Sequence, residues 1–242
     1  YDLRADELVN QAEHVIVTEK EFSTTYAEIF EKLSEDPEYY KEFKAAFPRY
    51  KDPVMRYTFS MALASYVASL QGGLSDFDLW ARGDANPADE AAIRGFNLFM
   101  GKATCGTCHF APTFAGLVPP HFEDSETEVL GVPADPNAEE WVLDADWGLY
   151  TSGKAKDEAP FYQFSFKTMT VRNIERTAPY MHNGSFETLE QVLDFYNNGG
   201  GNGHGLEVEY QTLPGDSLGL TETELADLEA FMLSLTEPLI EY

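Results

Sequence analysis

Both cysteines of this 242-residue chain fall in one short window, Cys105-Gly106-Thr107-Cys108-His109. No other feature narrows the possible folds as far. Two thiols on one irregular helical turn can each form a thioether to one edge of a porphyrin. The next residue then aims its imidazole at the iron, which is the Cys-x-x-Cys-His pattern of c-type haem attachment. Three other readings of the same residues stay open. A thioredoxin-like redox pair needs a βαβ setting, and no such pattern surrounds these cysteines. A zinc site needs two further ligands, which His121, His182 and His204 can formally supply. A structural disulfide across two intervening residues leaves His109 without a role. Two cysteines are also too few for a disulfide-rich scaffold.

The remaining sequence reads as an all-α, cytochrome c-type chain with long loops. Residues 24–46 carry Tyr26, Ile29, Phe30 and Leu33 at helical spacing. They are interrupted by the Ser34-Glu35-Asp36-Pro37 turn and continue through Tyr39, Tyr40, Phe43 and Phe47 to a stop at Pro48. A third helix is expected over 53–70, before Gly72-Gly73. The stretch 72–86 reads as a boundary, and a new helix opens with Asn86 as N-cap and Pro87 at its first position, running to Gly101. Residues 111–167 are aperiodic and rich in Pro, Gly and Asp, so a long loop region with at most short strands is expected. A short helix covers 187–197, and 199–205 reads as a flexible glycine loop, since it lacks the Gly-Lys-Ser/Thr of a phosphate cradle. Thr221 and Glu224 form a capping-box pattern at the start of a last helix, 221–236. A haem domain of this kind needs a helix entering the attachment motif and a C-terminal helix crossing it. Phe96 and Phe99 against Leu228 and Phe231 are the expected partners at that crossing.

Composition restricts the partners. With 16 Lys+Arg against 42 Asp+Glu, the net charge is −26. This disfavours nucleic acid and anionic membrane surfaces, and suits a basic protein partner or simple solubility. No apolar run approaches a membrane span, and no signal peptide is read, so a mature, trimmed or fragmentary chain is expected. The acidic run 123–128 reads as a solvated face. Trp141 and Trp147 read as loop packing, with electron relay as the alternative.

With His109 as proximal ligand, the occupant of the sixth position sets the chemistry. A Met thioether raises the potential, whereas a Tyr phenolate lowers it and stabilises higher oxidation states. Met181, His182 and Tyr196 are the candidates, with Met169 and His121 behind them, and spacing does not choose among them.

Longer motifs add a resemblance. TVRNIERTAPYMHNGSFETLE at 170–190, GFNLF at 95–99 and LEAFMLSLT at 228–236 resemble the bacterial di-haem cytochrome c peroxidases and their MauG-like relatives. The family has two cytochrome-like domains: one haem meets hydrogen peroxide and the other passes electrons to it. This chain contains only the second attachment motif, so the resemblance implies one covalent haem c here and a second in a longer parent. Residues 1–80 then correspond to a remnant of the peroxidatic domain, and 81–242 to the electron-transfer domain.

The resemblance also implies roles. Gln11 and Glu21 match the residues lining the peroxide side of the first haem, where the Glu acts as acid/base. Tyr1 stands where the family has an inter-haem Trp. Thr177 and Pro179 match residues whose carbonyls bind calcium between the domains, although the family's third ligand, an Asn, is missing. Tyr196 matches the distal-ligand position, with Tyr in MauG-like members and Met in classical peroxidases, and Met181 is its rival. The implied activity is peroxide reduction with electrons from a small cytochrome c or copper protein. The alternatives are MauG-like oxidation of a protein or other substrate through high-valent haem, and a mono-haem electron carrier without catalysis. The implied location is the bacterial periplasm, and the implied assembly a homodimer.

Overall fold

The computed structural model describes residues 2–5, 7–70, 72–84, 89–153 and 159–238. It divides into two compact units, Ala5–Gln71 on one side and Tyr1–Arg4 together with Gly72–Tyr242 on the other. The expected 80/81 boundary falls inside a helix of the second unit.

Among the described residues of unit Ala5–Gln71, the regular elements are all helices. They are α1 (Leu8–Val17), α2 (Tyr26–Glu35), α3 (Pro37–Ala46) and α4 (Arg56–Ser69). The 24–46 break is the expected one: Asp36 ends α2 and caps α3 by accepting from the amides of Glu38 and Tyr39, with Pro37 at the first position. Helix α1 has no side-chain cap, so no start signal marked it in the sequence. It is held by Ala12 and Ile16 in the core. Its Glu13 pairs with Arg56 and accepts from Ser60 of α4 at 3.0 Å.

The second unit is built on the crossing of α6 (Glu90–Met100) with α9 (Glu222–Ser234). Phe231, fully buried, is the hub of this core. Its ring lies 5.0–5.5 Å from those of Phe77, Phe96, Phe99 and Phe114. The expected aromatic partners therefore meet, and Arg94 adds a two-pronged ion pair to Asp227 at 2.7 and 2.8 Å. The N-cap of α6 is Asp89, which accepts from Ala91, rather than Asn86. Asn86 and Pro87 lie outside the described residues.

Two expectations for local structure are corrected. The stretch 72–86 is not merely a boundary. It contains α5 (Asp76–Arg82), started by a Ser75/Asp78 capping box and anchored by buried Phe77. The 199–205 stretch is not a flexible loop either. It forms the short helix α8 (Gly200–Gly203), pressed against Leu130 and Gly131. A Cβ on Gly201 would lie 2.5 Å from the Gly131 carbonyl oxygen, and one on Gly203 would lie 1.6 Å from that of Asn198. These glycines are required by close backbone approach. Gly201→Ala is expected to destabilise the holoprotein by about 1–3 kcal/mol in urea unfolding, with an unchanged midpoint contradicting this account.

The 111–167 region carries two short antiparallel strands, β1 (Thr127–Val129) and β2 (Ser165–Lys167), with Glu128 opposite Phe166. The helical frame is as expected, but the protein is not purely α. Between and beyond these strands the backbone pairs over long separations, as in Gly116 N–H to Thr168 O (3.1 Å) and Thr168 N–H to Glu126 O (3.1 Å). Helix α7 (Leu189–Asn197), capped by Thr188, completes the unit.

Candidate functional site

A cavity of about 390 Å³ opens in the second unit, within the range of roughly 300–1,000 Å³ usual for small-molecule and cofactor sites. Its apolar walls come from Leu189, Val192 and Leu193 of α7, Leu228 and Met232 of α9, and the loops around β1 and β2. Cys105, Cys108 and His109 line it together with Tyr196.

The attachment motif is held by a single 3-10 turn, Cys105–Thr107, that follows α6 after four connecting residues. The His109 amide donates to the Cys105 carbonyl at 2.9 Å, closing the turn. Nδ1 of His109 lies 3.3 Å from the Phe114 carbonyl. In the tautomer this contact selects, Nδ1–H donates and Nε2 keeps its lone pair, as a metal-binding imidazole requires. Burial lowers the His109 pKa, which keeps the ring neutral, while the Phe114 carbonyl opposes that shift. Cys105 and Cys108 are free thiols. Burial pushes both up to about 12, and at Cys108 the nearby Glu128 adds to the shift.

This environment does not suit a thiol-redox pair, whose reactive cysteine needs a lowered pKa. Of the three histidines that the zinc reading calls on, only His182 lines the cavity with the cysteines. Its Nε2 is 3.3 Å from Asp144 and its ring lies flat on Phe166 at 3.6 Å. His204 stacks on Trp141 at 4.1 Å, and His121 is exposed. The residues do fit a covalent haem c: two protonated thiols, one oriented neutral imidazole and a phenol on one apolar cavity.

Tyr196, Met181 and Met169 all line the cavity, whereas His121 does not. Burial, then the two thiols and Glu128, push the Tyr196 phenol above its ordinary range. Met181 adopts a left-handed backbone, φ +69°, as do the cavity residues Thr104 (+57°) and Phe164 (+62°). Non-glycine residues held in that region concentrate where the surrounding structure overrides local preference.

The other sequence candidates are placed less specifically. Gln11 on α1 and Glu21 in the turn after it are both exposed. Tyr1 lies outside the described residues. Thr177 and Pro179 are exposed beside a short 3-10 turn, and among the described residues neither carbonyl accepts a hydrogen bond. The acidic run divides: Glu123 and Asp124 are solvated as expected, but Glu126 and Glu128 are half-buried. Glu128 lines the cavity, and the Glu126, Glu128 and Cys108 ligand atoms lie within 4.8 Å of one another. Burial and the Glu128 charge raise the Glu126 pKa. Sequence reasoning missed Glu128, Phe166 and the Phe114 carbonyl. Only alternation about β1, too short to stand out, marked Glu126 and Glu128 as sharing a face.

Arg172 fixes the segment that follows β2. Its guanidinium makes paired 2.8 Å bonds to both Asp78 oxygens, donates to the Pro112 carbonyl and lies over the Phe114 ring at 5.5 Å. It thereby ties α5 and the 170–176 segment to the loop that orients His109.

The chain is similar to known proteins over most of its length. A family model described as di-haem cytochrome c peroxidase matches residues 1–86. The cytochrome-c peroxidase IdrP1 of Denitromonas iodatirespirans is 35% identical over 226 residues, covering 84% of this chain and 56% of that protein. The methylamine utilization protein MauG of Methylorubrum extorquens is 31% identical over 238 residues, covering 97% of this chain and 60% of that protein. A crystal structure of a MauG-like protein associated with microbial copper homeostasis superposes with a TM-score of 0.74 at 26% identity, covering 96% of this chain and 69% of that one. The chain thus spans somewhat more than half the length of these curated relatives. With its helical frame, its attachment motif and these relatives, the chain belongs to the di-haem cytochrome c peroxidase/MauG-like family.

Proposed function

We propose that the cavity of the second unit holds a haem c, bound through Cys105 and Cys108, and that it serves as the electron-transfer centre of a peroxide-reducing oxidoreductase. The observation that carries this reading is the convergence of Cys105, Cys108, His109 and Tyr196 on one apolar cavity. The bound group supplies reversible one-electron chemistry, and the protein supplies attachment, orientation and exclusion of water. His109, oriented by the Phe114 carbonyl, would hold the iron through its free imidazole nitrogen. Tyr196, with Met181 as its rival, would supply a second iron ligand, and to bind as an anion it would have to give up its phenolic proton. Arg172 keeps the Phe114 loop in place.

Within the longer enzyme, hydrogen peroxide would take up two electrons and two protons to give two waters. Gln11 and Glu21 would line the peroxide side of a second haem, with Glu21 moving the proton. Family membership supports that assignment. Thr177 and Pro179 would offer carbonyl oxygens to calcium, which their unpaired state permits. Electrons would come from a small cytochrome or copper protein in the periplasm of a bacterium, and the enzyme would work as a homodimer.

A second reading, oxidation of a protein or other substrate as in the MauG branch, is favoured by the anionic oxygen that Tyr196 would offer. The potential and spectrum of the bound haem separate the two. If Tyr196→Phe leaves both unchanged, the tyrosinate assignment fails and Met181 takes its place.

Intact mass tests the attachment directly. The native protein should carry the mass of a covalent haem that survives denaturation, and Cys105→Ala with Cys108→Ala should abolish it. A native mass equal to the bare polypeptide would overturn the reading. A single haem in the full-length native protein, without peroxide turnover, would leave a mono-haem electron carrier.

A further inference from the structure

The aromatic packing behind Tyr196 does not stop at the cavity wall. Tyr196 meets Phe195 edge-on, with ring centroids 5.8 Å apart. Phe195 is buried, 6.3 Å from Trp141 and 5.9 Å from His204, whose ring is nearly parallel to it at 8°. Trp141 and His204 stack on each other at 4.1 Å and are only half-buried. An unbroken series of ring contacts therefore joins the surface to a phenol that lines the cavity.

Two features separate this series from ordinary core packing. The first is His204: its Nε2 is buried and has no hydrogen-bond partner among the described residues. Such an unpaired group costs about 1–3 kcal/mol, so a carbocyclic ring would serve packing better there. The second is the surroundings. Trp141 and His204 share a recess with Glu139 and Glu140, both exposed. Asp135 on the same loop and Asp194, next to Phe195, are exposed as well. The indole N–H donates to the Pro136 carbonyl at 3.1 Å, which fixes the ring plane at the surface.

We propose that the Trp141–His204 stack is where electrons enter this unit, and that its acidic recess seats a basic one-electron donor protein. The proposal rests on the reading of the cavity as a haem site. Each encounter moves one electron. The donor is oxidised by one electron, the group held by Cys105, Cys108 and His109 is reduced by one, and the side chains between them return unchanged. No proton need leave the indole, because its N–H stays on the Pro136 carbonyl. Tunnelling falls steeply with distance, and packed rings shorten the gap between the surface and the cavity. The acidic rim raises the encounter rate with a cationic donor.

The test is reduction of the holoprotein without peroxide, followed in the haem absorption band, by two reductants. One is a reduced, basic mono-haem cytochrome c, and the other is dithionite, which needs no docking surface. Trp141→Leu should lose most of its rate with the cytochrome and keep its rate with dithionite. Trp141→Phe, which preserves the packing, should fall between Leu and wild type. Glu139→Gln with Glu140→Gln should slow the cytochrome reaction by about tenfold at low salt and converge on wild type as salt rises. Unchanged cytochrome rates in these variants would overturn the proposal. So would a dithionite rate that falls in step with the cytochrome rate, because that reports a damaged cavity rather than a lost route. An intact mass lacking haem would instead overturn the cavity reading, so the two failures are distinguishable.

Discussion

Gly95→Val is expected to prevent the second unit from holding its native fold. Gly95 lies in α6 where that helix crosses α9. A Cβ there would sit 1.9 Å from the Asp227 carbonyl oxygen and 2.7 Å from Cβ of Phe231. Neither neighbour can yield, since the first is backbone and the second belongs to the fully buried hub. Elsewhere in a helix, replacing Gly by Ala gains about 1 kcal/mol of helix propensity. Here the sign reverses. Gly95→Ala should destabilise the holoprotein by about 1–3 kcal/mol, and the branched Val by more. The consequence reaches the cavity because Leu228 and Met232 of α9 form part of its wall. Urea unfolding with haem content measured in parallel checks this. A raised midpoint for Gly95→Ala would show that the helices do not approach as closely as described.

The second large effect concerns Asp78 and Arg172. Their side chains are 19% and 18% exposed, so removing one partner leaves a largely buried charge. Asp78→Asn is expected to cost about 2–3 kcal/mol, at the low side of buried pairs because some solvent reaches the site. The Arg172 hydrogen bonds hold the Asp78 carboxyl well below the usual carboxylate range, against the opposing effect of burial. A depressed folded-state pKa means that the pair's contribution is complete above the unfolded value of about 3.9. It is lost as pH falls below that value toward the folded one. Wild type should therefore lose stability steeply below about pH 4, while Asp78→Asn shows a shallower acid limb. Parallel acid limbs in chemical unfolding would contradict the assignment. Because the same guanidinium holds the Pro112 carbonyl, the variant should also disturb the His109 environment, visible in the haem spectrum.

How much of this was legible beforehand depended on how local the determining forces are. Helices α2, α3, α4, α7 and α9 were readable because periodic apolar residues and caps such as Asp36-Pro37 and Thr221/Glu224 act within one or two turns. The seven-residue α5 hid among Gly and Asp, although its Ser75/Asp78 capping box was present. The glycines at 199–205 looked flexible because nothing in the sequence reveals the backbone of residues 130–131 lying against them. Residues 111–167 gave no period because their hydrogen bonds run to distant segments rather than along the chain.

The site divides in the same way. Cys105, Cys108 and His109 are neighbours in the chain, so spacing alone already favours one chemistry for them. That local motif pointed to the cofactor class, and charge argued against whole classes of partner, before any contact was known. The rest was decided by tertiary structure. Tyr196 and Met181 stand in a different part of the chain from the motif, and only packing of α7 and the 180–184 turn brings both to the cavity. The tautomer of His109 depends on a carbonyl displaced into a left-handed loop at Phe114 (φ +47°), and that loop is held by Arg172 from the far side of β2. Short-range chemistry can be read from order in the chain. Orientation, burial and the approach of distant backbones arise only when the chain packs against itself.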